Sequence, residues 1–275
     1  MIDKRMVWVF IEQDEGRICD VSLELLGKGR ELADRLGGEL HALLLGKAVM
    51  ALGGDLLAHG ADHAILAEHE ELEFFRTLPY ARVIGRLVEE RKPYIFLFGA
   101  TATGRDLAPR LASSLRTGLT ADCTDLQIAD YESKKEKTVF KDLLMQIRPA
   151  FGGNLIATIV NPHGRPQMAT VREGVMRKAD SDPERKGTIE TIVPVFEPSD
   201  LVLRVLSREK RVSNVRLKDA SVIVAGGAGV AGPAEFDLLR ELAGALAGEL
   251  GASRAAVDAG LIHHDHQVGQ TGVTV

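Results

Sequence analysis

The chain has 275 residues, enough for one large or two ordinary domains, and its 45% hydrophobic and 27% charged content is that of a globular protein. A net charge of −5 argues against nucleic acid as a principal partner, because phosphate binding needs a basic surface. No run reaches the roughly 20 apolar residues that would span a bilayer, and Met1 to Met6 lead into a strand without a signal or transit segment, so a cytoplasmic protein without membrane insertion is expected. Cys19 and Cys123 lie far apart with no metal-ligand spacing, as expected of reduced thiols.

Met6 to Glu12 is a continuous apolar run ending in a carboxylate, the pattern of a strand buried on both faces. Val21 to Leu36 has helical spacing, with Leu23, Leu26, Leu32 and Leu36 as its stripe and Ser22 as a possible cap. Strands are predicted at Leu40 to Leu45, Ala61 to Ala67 and Tyr94 to Phe98, and helices at Val49 to His59, Pro79 to Glu90 and Gly104 to Leu115. Strands alternating with helices of these lengths pair in parallel, since each helix is the crossover. Thr101 or Thr103 can cap the last of these helices, whose N-terminus is read as structural and not as an anion site.

From Thr124 to Phe196 the runs shorten, at Leu126–Ile128, Thr138–Ile147, Leu155–Val160 and Thr188–Val195, and suggest antiparallel additions to the sheet. Glu132 to Lys137 reads as a solvated hairpin tip. Glu197 to Asp200 and the charged stretch Ser207 to Asp219 mark a link between an N-terminal α/β domain, 1–205, and a second unit, 206–275.

In the second unit Ser221 to Ala225 is a predicted strand and Pro233 to Leu250 a predicted helix. Between them Gly227, Gly229 and Gly232 fit G-x-G-x-x-G in a strand–loop–helix context, where backbone N–H groups and a helix N-terminus can face a pyrophosphate. Taken alone this motif is equally a tight turn. A nicotinamide site also wants an acid at the end of the next strand; Glu249 is read as still helical and Asp258 comes too late, which disfavours NAD. His263, His264 and His266 around Asp265 are the densest ligand-like group, read as an exposed loop and not a metal centre, because adjacent residues of a strand point to opposite faces. No hydrolytic or phosphotransfer motif stands out, and no catalytic residue is assigned.

The segments Gly251-Ala252-Ser253-Arg254-Ala255-Ala256-Val257-Asp258-Ala259-Gly260 and Gln267-Val268-Gly269-Gln270-Thr271-Gly272 resemble the FAD-binding domain of the electron-transfer flavoprotein alpha subunit family. The resemblance extends to Gly99–Arg110, Gly118–Asp122, Arg148–Asn154 and Arg165–Arg172, and Val21–Leu32 with His266 is similar to the electron-bifurcating branch. It implies a doubly wound, mostly parallel α/β domain with antiparallel additions, followed by the first part of a second, Rossmann-like FAD-binding domain. The family's following strand and S-G-A-I-Q-H segment have no counterpart before Val275.

By this resemblance FAD would be bound by Gly227, Ala228, Ser253, Arg254, Gln267, Val268, Gly269, Gln270 and Thr271. Arg254 would lie against the flavin ring, favouring its one-electron-reduced anion, and Gln270 and Thr271 would meet the flavin N5 and O4 edge. Ala228 and Val273 stand where the family often has arginine and lysine. The implied partners are a beta subunit in a heterodimer, an acyl-CoA dehydrogenase-type flavoenzyme, and NADH and ferredoxin reached through the beta subunit, with the first domain docking that subunit and binding no nucleotide. Two other readings remain open: a non-redox docking module, and a fragment of an NAD-dependent dehydrogenase.

Overall fold

A computed structural model describes residues 5–150, 155–209, 215–217, 220–230, 232–269, 271–273 and 275. Phe151 to Asn154, much of the charged linker, and Gln270 lie outside these residues. The chain divides into two compact units, Met1–Val205 and Leu206–Val275.

In the first unit β1 (Met6–Ile11) leads through a small hairpin, β2 (Gln13–Asp14) and β3 (Arg17–Ile18), into α1 (Asp20–Leu36). There follow β4 (Glu39–Gly46), a 3-10 turn, α2 (Gly53–Ala58), β5 (His63–Glu68), α3 (Thr77–Arg91), β6 (Ile95–Gly99), α4 (Ala102–Ser114) and β7 (Leu119–Cys123). Next come β8 (Asp125–Ser133), β9 (Thr138–Pro149), β10 (Ile156–Ile159), β11 (Gln167–Val171) and β12 (Thr188–Ile192). Seven strands form one sheet in the order β12-β5-β4-β1-β6-β11-β7, and every pairing within it is parallel.

Both faces of this sheet are covered, which is why its inner strands β1, β4, β5 and β6 are mostly apolar and buried, while the edge strand β12 is polar and largely exposed. Val7, Val9 and Ile11 point to one side, where Leu25, Leu26 and Leu32 of α1 cover them. Trp8 and Phe10 point to the other, against Tyr80, Ile84 and Leu87 of α3 and Leu107 and Leu111 of α4. Each such fully buried aliphatic side chain contributes about 1.5–3 kcal/mol of transfer free energy.

The fold class is the doubly wound α/β arrangement read from the sequence, with three local differences. The antiparallel segments form a separate three-stranded sheet, β10-β9-β8, whose Leu126 and Leu144 pack into the α1-side core. Thr188–Ile192 instead pairs in parallel with β5, because the chain arrives from the same end of the sheet as His63. Ser22 does not cap α1: Cys19 holds the N-cap position, and the Ser22 hydroxyl, buried, accepts from the Glu12 backbone N–H at 2.8 Å. Neither cysteine is in a disulfide.

Glu197 to Asp200 is also no slack linker. It forms a 3-10 turn with a capping box, and Arg82 Nε of α3 donates to both oxygens of Asp200, at 3.0 and 2.9 Å.

The second unit is a β-α-β element: β13 (Ile223–Gly226), α5 (Pro233–Ala245) and β14 (Glu249–Ala252), with the two strands parallel, then the short α6 (Arg254–Asp258). Its core is Phe236, Ala243, Leu250, Ala252 and Ala256. The helix stops five residues before the predicted end. Ala247 takes a positive φ of 51°, and Gly248 turns where a Cβ would stand 2.5 Å from the Val222 carbonyl oxygen. Glu249 therefore opens β14 instead of closing the helix. No helix among the described residues is long and apolar enough to cross a membrane.

Candidate functional site

Three chain segments reach their carboxyl ends together in the second unit. Gly226 of β13 is in register with Ala252 of β14, and Ala252 forms a parallel bridge to Gln267. Ser253 N–H donates to the Gly226 carbonyl and Val268 N–H to the Ala252 carbonyl, each at 2.9 Å. Gly227, Ser253 and Val268 are thus lined up at one edge, the edge at which open α/β sheets take their ligands.

The residues just before this edge are small for packing reasons. A Cβ on Gly226 would stand 2.6 Å from the Phe236 ring, so only glycine lets α5 close on β13. A Cβ on Gly251 would meet Val268 at 3.0 Å. The glycines beyond the edge differ: one on Gly227 would meet only Ser253 Oγ, at 3.8 Å, and one on Gly229 nothing within 4 Å. Gly227 and Gly229 leave bare backbone facing open space, as a dinucleotide's phosphates require. Ala228 lies in the turn closed by the Val230 N–H to the Gly227 carbonyl, 3.1 Å. At the third glycine, the Glu235 carboxylate stands 3.2 Å from where a Cβ on Gly232 would be. That acid, exposed in the first turn of α5, complements the helix dipole.

Ser253 caps α6, its hydroxyl accepting from Ala256 N–H at 3.4 Å. Arg254 opens that helix, and its Nε reaches Asp258 at 3.2 Å with both side chains about two-thirds exposed (65% and 64%). Gln267 to Val273 form a tight turn: Gly269 takes φ +107°, its N–H meets the Val273 carbonyl, and Val273 N–H meets the Gln267 carbonyl. Gln267 Nε2 donates to Thr271 Oγ1 at 2.8 Å, which leaves the Thr271 hydroxyl proton for another acceptor. Six of the nine expected residues, Gly227, Ala228, Ser253, Arg254, Gln267 and Val268, are gathered at or next to one edge, and Gly269 and Thr271 lie on the adjoining turn; Gln270 lies outside the described residues. Open glycine backbone, two hydroxyls, an amide and an exposed guanidinium are a donor set that fits an anionic, ring-bearing cofactor such as a flavin nucleotide.

The end of β14 bears on the nicotinamide reading as well. The residues there are Ala252, Ser253 and Arg254, none acidic, so the carboxylate that would hold an NAD ribose is absent from that position.

The histidines differ from the strand-like reading. His264–His266 is a 3-10 turn, which brings ligand atoms of His263, His264 and Asp265 within 4.8 Å of one another, while His266 Nδ1 donates to the Leu250 carbonyl at 2.7 Å.

Sequence reasoning missed one further group. Glu12 stands at the carboxyl end of β1, the strand at which the sheet order reverses, where doubly wound folds bind nucleotides. Burial, and less strongly Glu173, push its carboxyl up to about 7 against the opposing Thr101 hydrogen bond. A carboxylate closing an apolar run was the available signal. Its side chain fills the crevice, since a Cβ on Gly99 would stand 2.9 Å from Glu12 Oε1. Thr101, not Thr103, caps α4, accepting from Gly104 N–H at 3.0 Å.

A doubly wound unit followed by a β-α-β unit with an open glycine edge defines a nucleotide-cofactor protein of two parts. Residues 7–195 match the family described as "Electron transfer flavoprotein domain" and residues 216–275 the "Electron transfer flavoprotein FAD-binding domain". The chain is 47% identical over 276 residues to an electron transfer flavoprotein subunit alpha of Thermoanaerobacterium thermosaccharolyticum, covering 100% of this chain and 81% of that protein. It is 48% identical to the subunit of that name in Clostridium acetobutylicum, covering 99% of this chain and 80% of that protein. At 40% identity, over 98% of this chain and 79% of that protein, it is similar to the acryloyl-CoA reductase electron transfer subunit beta of Anaerotignum propionicum. The chain belongs to the electron transfer flavoprotein alpha subunit family, a family of electron-transferring flavoproteins.

Proposed function

We propose that the chain serves as the alpha subunit of a heterodimeric electron-transfer flavoprotein, with residues 206–275 binding FAD and residues 1–205 docking a beta subunit without binding nucleotide. The observation that carries this reading is the shared carboxyl edge of Gly227, Ser253 and Val268, with open backbone on the glycine loop and no acid at the end of β14. FAD, when bound, supplies the capacity to take and release single electrons.

This chain's residues bind and tune. The bare backbone at Gly227 to Gly229 accommodates phosphate, and Ala228 contributes its N–H there. The Ser253 hydroxyl already serves the α6 cap, so its lone pairs hold the edge in shape while its proton is available to a ligand. Gln267 orients the Thr271 hydroxyl through the 2.8 Å bond, fixing where that proton can point. Gly269 lies on the same turn, and Gln270, on the family resemblance alone, would meet the flavin edge. Arg254 provides a fixed positive charge, moderated by Asp258 and by solvent.

The electrons would come from NADH through a beta-subunit flavin, one passing to ferredoxin and one to the alpha-subunit FAD and an acyl-CoA dehydrogenase-type enzyme, in the cytoplasm. The name of the Anaerotignum relative, which ties that protein to an acyl-CoA reductase, supports an acyl-CoA partner. For the first unit, the Glu12 side chain in the switch-point crevice supports a scaffold role, since it occupies space beside Gly99 that a ligand would need.

The test is to co-express the full chain with its neighbouring beta-type subunit, purify the complex and identify the flavin released on denaturation. One FAD lost from variants of Ser253 or Thr271 supports the proposal. A stable heterodimer whose flavin content is indifferent to both residues would assign this chain to docking alone.

A further inference from the structure

At the opposite, amino edge of the first unit's sheet, three side chains converge that the flavin chemistry does not use. Glu39 and His41 are two residues apart on β4 and share a face, and His63 of β5 is the register partner of His41. Trp8 of β1 is in register on the other side, so Trp8, His41 and His63 form a row, with the two imidazole centroids 4.5 Å apart and the indole 6.2 Å from His41. Glu39 Oε2 lies 3.7 Å from His41 Nε2 and 3.6 Å from His63 Nε2.

His41 is the anomaly. It is only 7% exposed, and neither ring nitrogen has a hydrogen-bond partner within 3.5 Å, the Glu39 carboxylate standing just beyond at 3.7 Å from Nε2. An unsatisfied buried polar group costs about 1–3 kcal/mol and is rare in folded proteins. A neutral imidazole so placed has a lone pair to give to a cation. Asp62 and Glu190, the latter held by Arg91 at 2.7 and 2.6 Å, are the other charged groups that bear on it.

We propose that Glu39, His41 and His63 form a binding site for one divalent transition-metal ion of the zinc class. Two imidazoles and a carboxylate are a common first set for such an ion, with metal–ligand bonds of about 2.0–2.2 Å and therefore ligand atoms about 3.3 Å apart. The observed 3.6 and 3.7 Å close to that with a shift of a few tenths of an ångström. Their ligand atoms already lie within 4.8 Å of one another. His63, with its side chain 34% exposed, is free to turn out of the stack to aim its nitrogen. Glu39 also lines an open cleft of about 580 Å³ with Arg30, Asp34, Asp62 and Arg185, so its carboxylate is reached from solvent. The bound ion would satisfy His41 and tie β4 to β5 at their first residues, a structural role independent of the flavin edge.

The test uses the full-length protein, stripped with chelator and titrated with Co²⁺ alone, read by its visible absorption and by metal analysis after Zn²⁺ loading and desalting. The site predicts one retained ion per chain and a rise in the unfolding temperature. His63→Gln and Glu39→Ala, both at partly exposed positions, should lose the retained ion at concentrations that saturate the parent. A His263→Gln/His264→Gln variant controls for the exposed cluster of the second unit and should keep it. Absence of a stoichiometric ion, or an ion lost only with His263 and His264, would overturn the proposal.

Discussion

The Thr101 hydroxyl donates to both oxygens of the Glu12 carboxylate, each at 2.8 Å, and so joins the end of β1 to the first turn of α4. The same oxygen accepts from Gly104 N–H, so a single hydroxyl caps a helix and satisfies a buried carboxyl.

Glu12→Gln should flatten the pH dependence of stability. Burial raises the Glu12 carboxyl from 4.5 to about 7 in the fold, so its neutral form is favoured there. That contribution is fully present below about pH 4.5 and is lost as pH rises through about 7, amounting to about 3 kcal/mol at most. The variant should be more stable than the parent at pH 8 and near parity at pH 4.5, measured by chemical denaturation. Equal stability differences at both pH values would place the carboxyl in solvent.

Thr101→Ala removes the cap and the donor to Glu12, with an expected loss of about 2 kcal/mol. Thr101→Ser keeps the hydroxyl and should recover most of it. Denaturant midpoints of the three proteins decide the matter, and a serine variant no better than alanine would mean that the methyl group, not the hydroxyl, matters here.

Gly226→Ala should loosen the second unit while sparing the first. The added methyl would stand 2.6 Å from the Phe236 ring, and overpacking of this kind costs about 1–3 kcal/mol. Hydrogen exchange followed by peptide mass spectrometry should speed up in β13 and α5 and stay unchanged in β1 and β4. Uniform change across both units would contradict a local clash.

Arg254→Ala should lower the yield of one-electron-reduced flavin, with FAD retained. The guanidinium is well exposed and paired with Asp258, so its charge is largely screened and worth about 1 kcal/mol or less, roughly 40 mV for a one-electron couple. Asp258→Ala, which frees the guanidinium, should move the potential the opposite way. Redox titration of the flavin-replete complex checks both, and a pair of variants shifting in the same direction would show that Arg254 does not face the ring.

The doubly wound class was readable from the sequence because it rests on local pattern. Continuous apolar runs such as Met6–Ile11, alternating with helical stripes such as Val21–Leu36, permit only buried parallel strands with crossover helices. The flavoprotein resemblance was carried in the same way by contiguous residues, Gly251–Gly260 and Gln267–Gly272, whose identity survives without coordinates. What only the tertiary structure decided depends on groups far apart in sequence. Thr188–Ile192 joins the parallel sheet because of where the chain re-enters beside His63, and no local period encodes direction. The α5 helix ends at Ala245 because Gly248 must pass the Val222 carbonyl. Glu12 becomes a buried acid only when Thr101 and Gly99 close over it, and His41 loses its hydrogen-bond partners only when β1 and β5 flank it. Burial and through-space charge are sums over neighbours that the fold brings together, and a linear sequence does not say which neighbours those are.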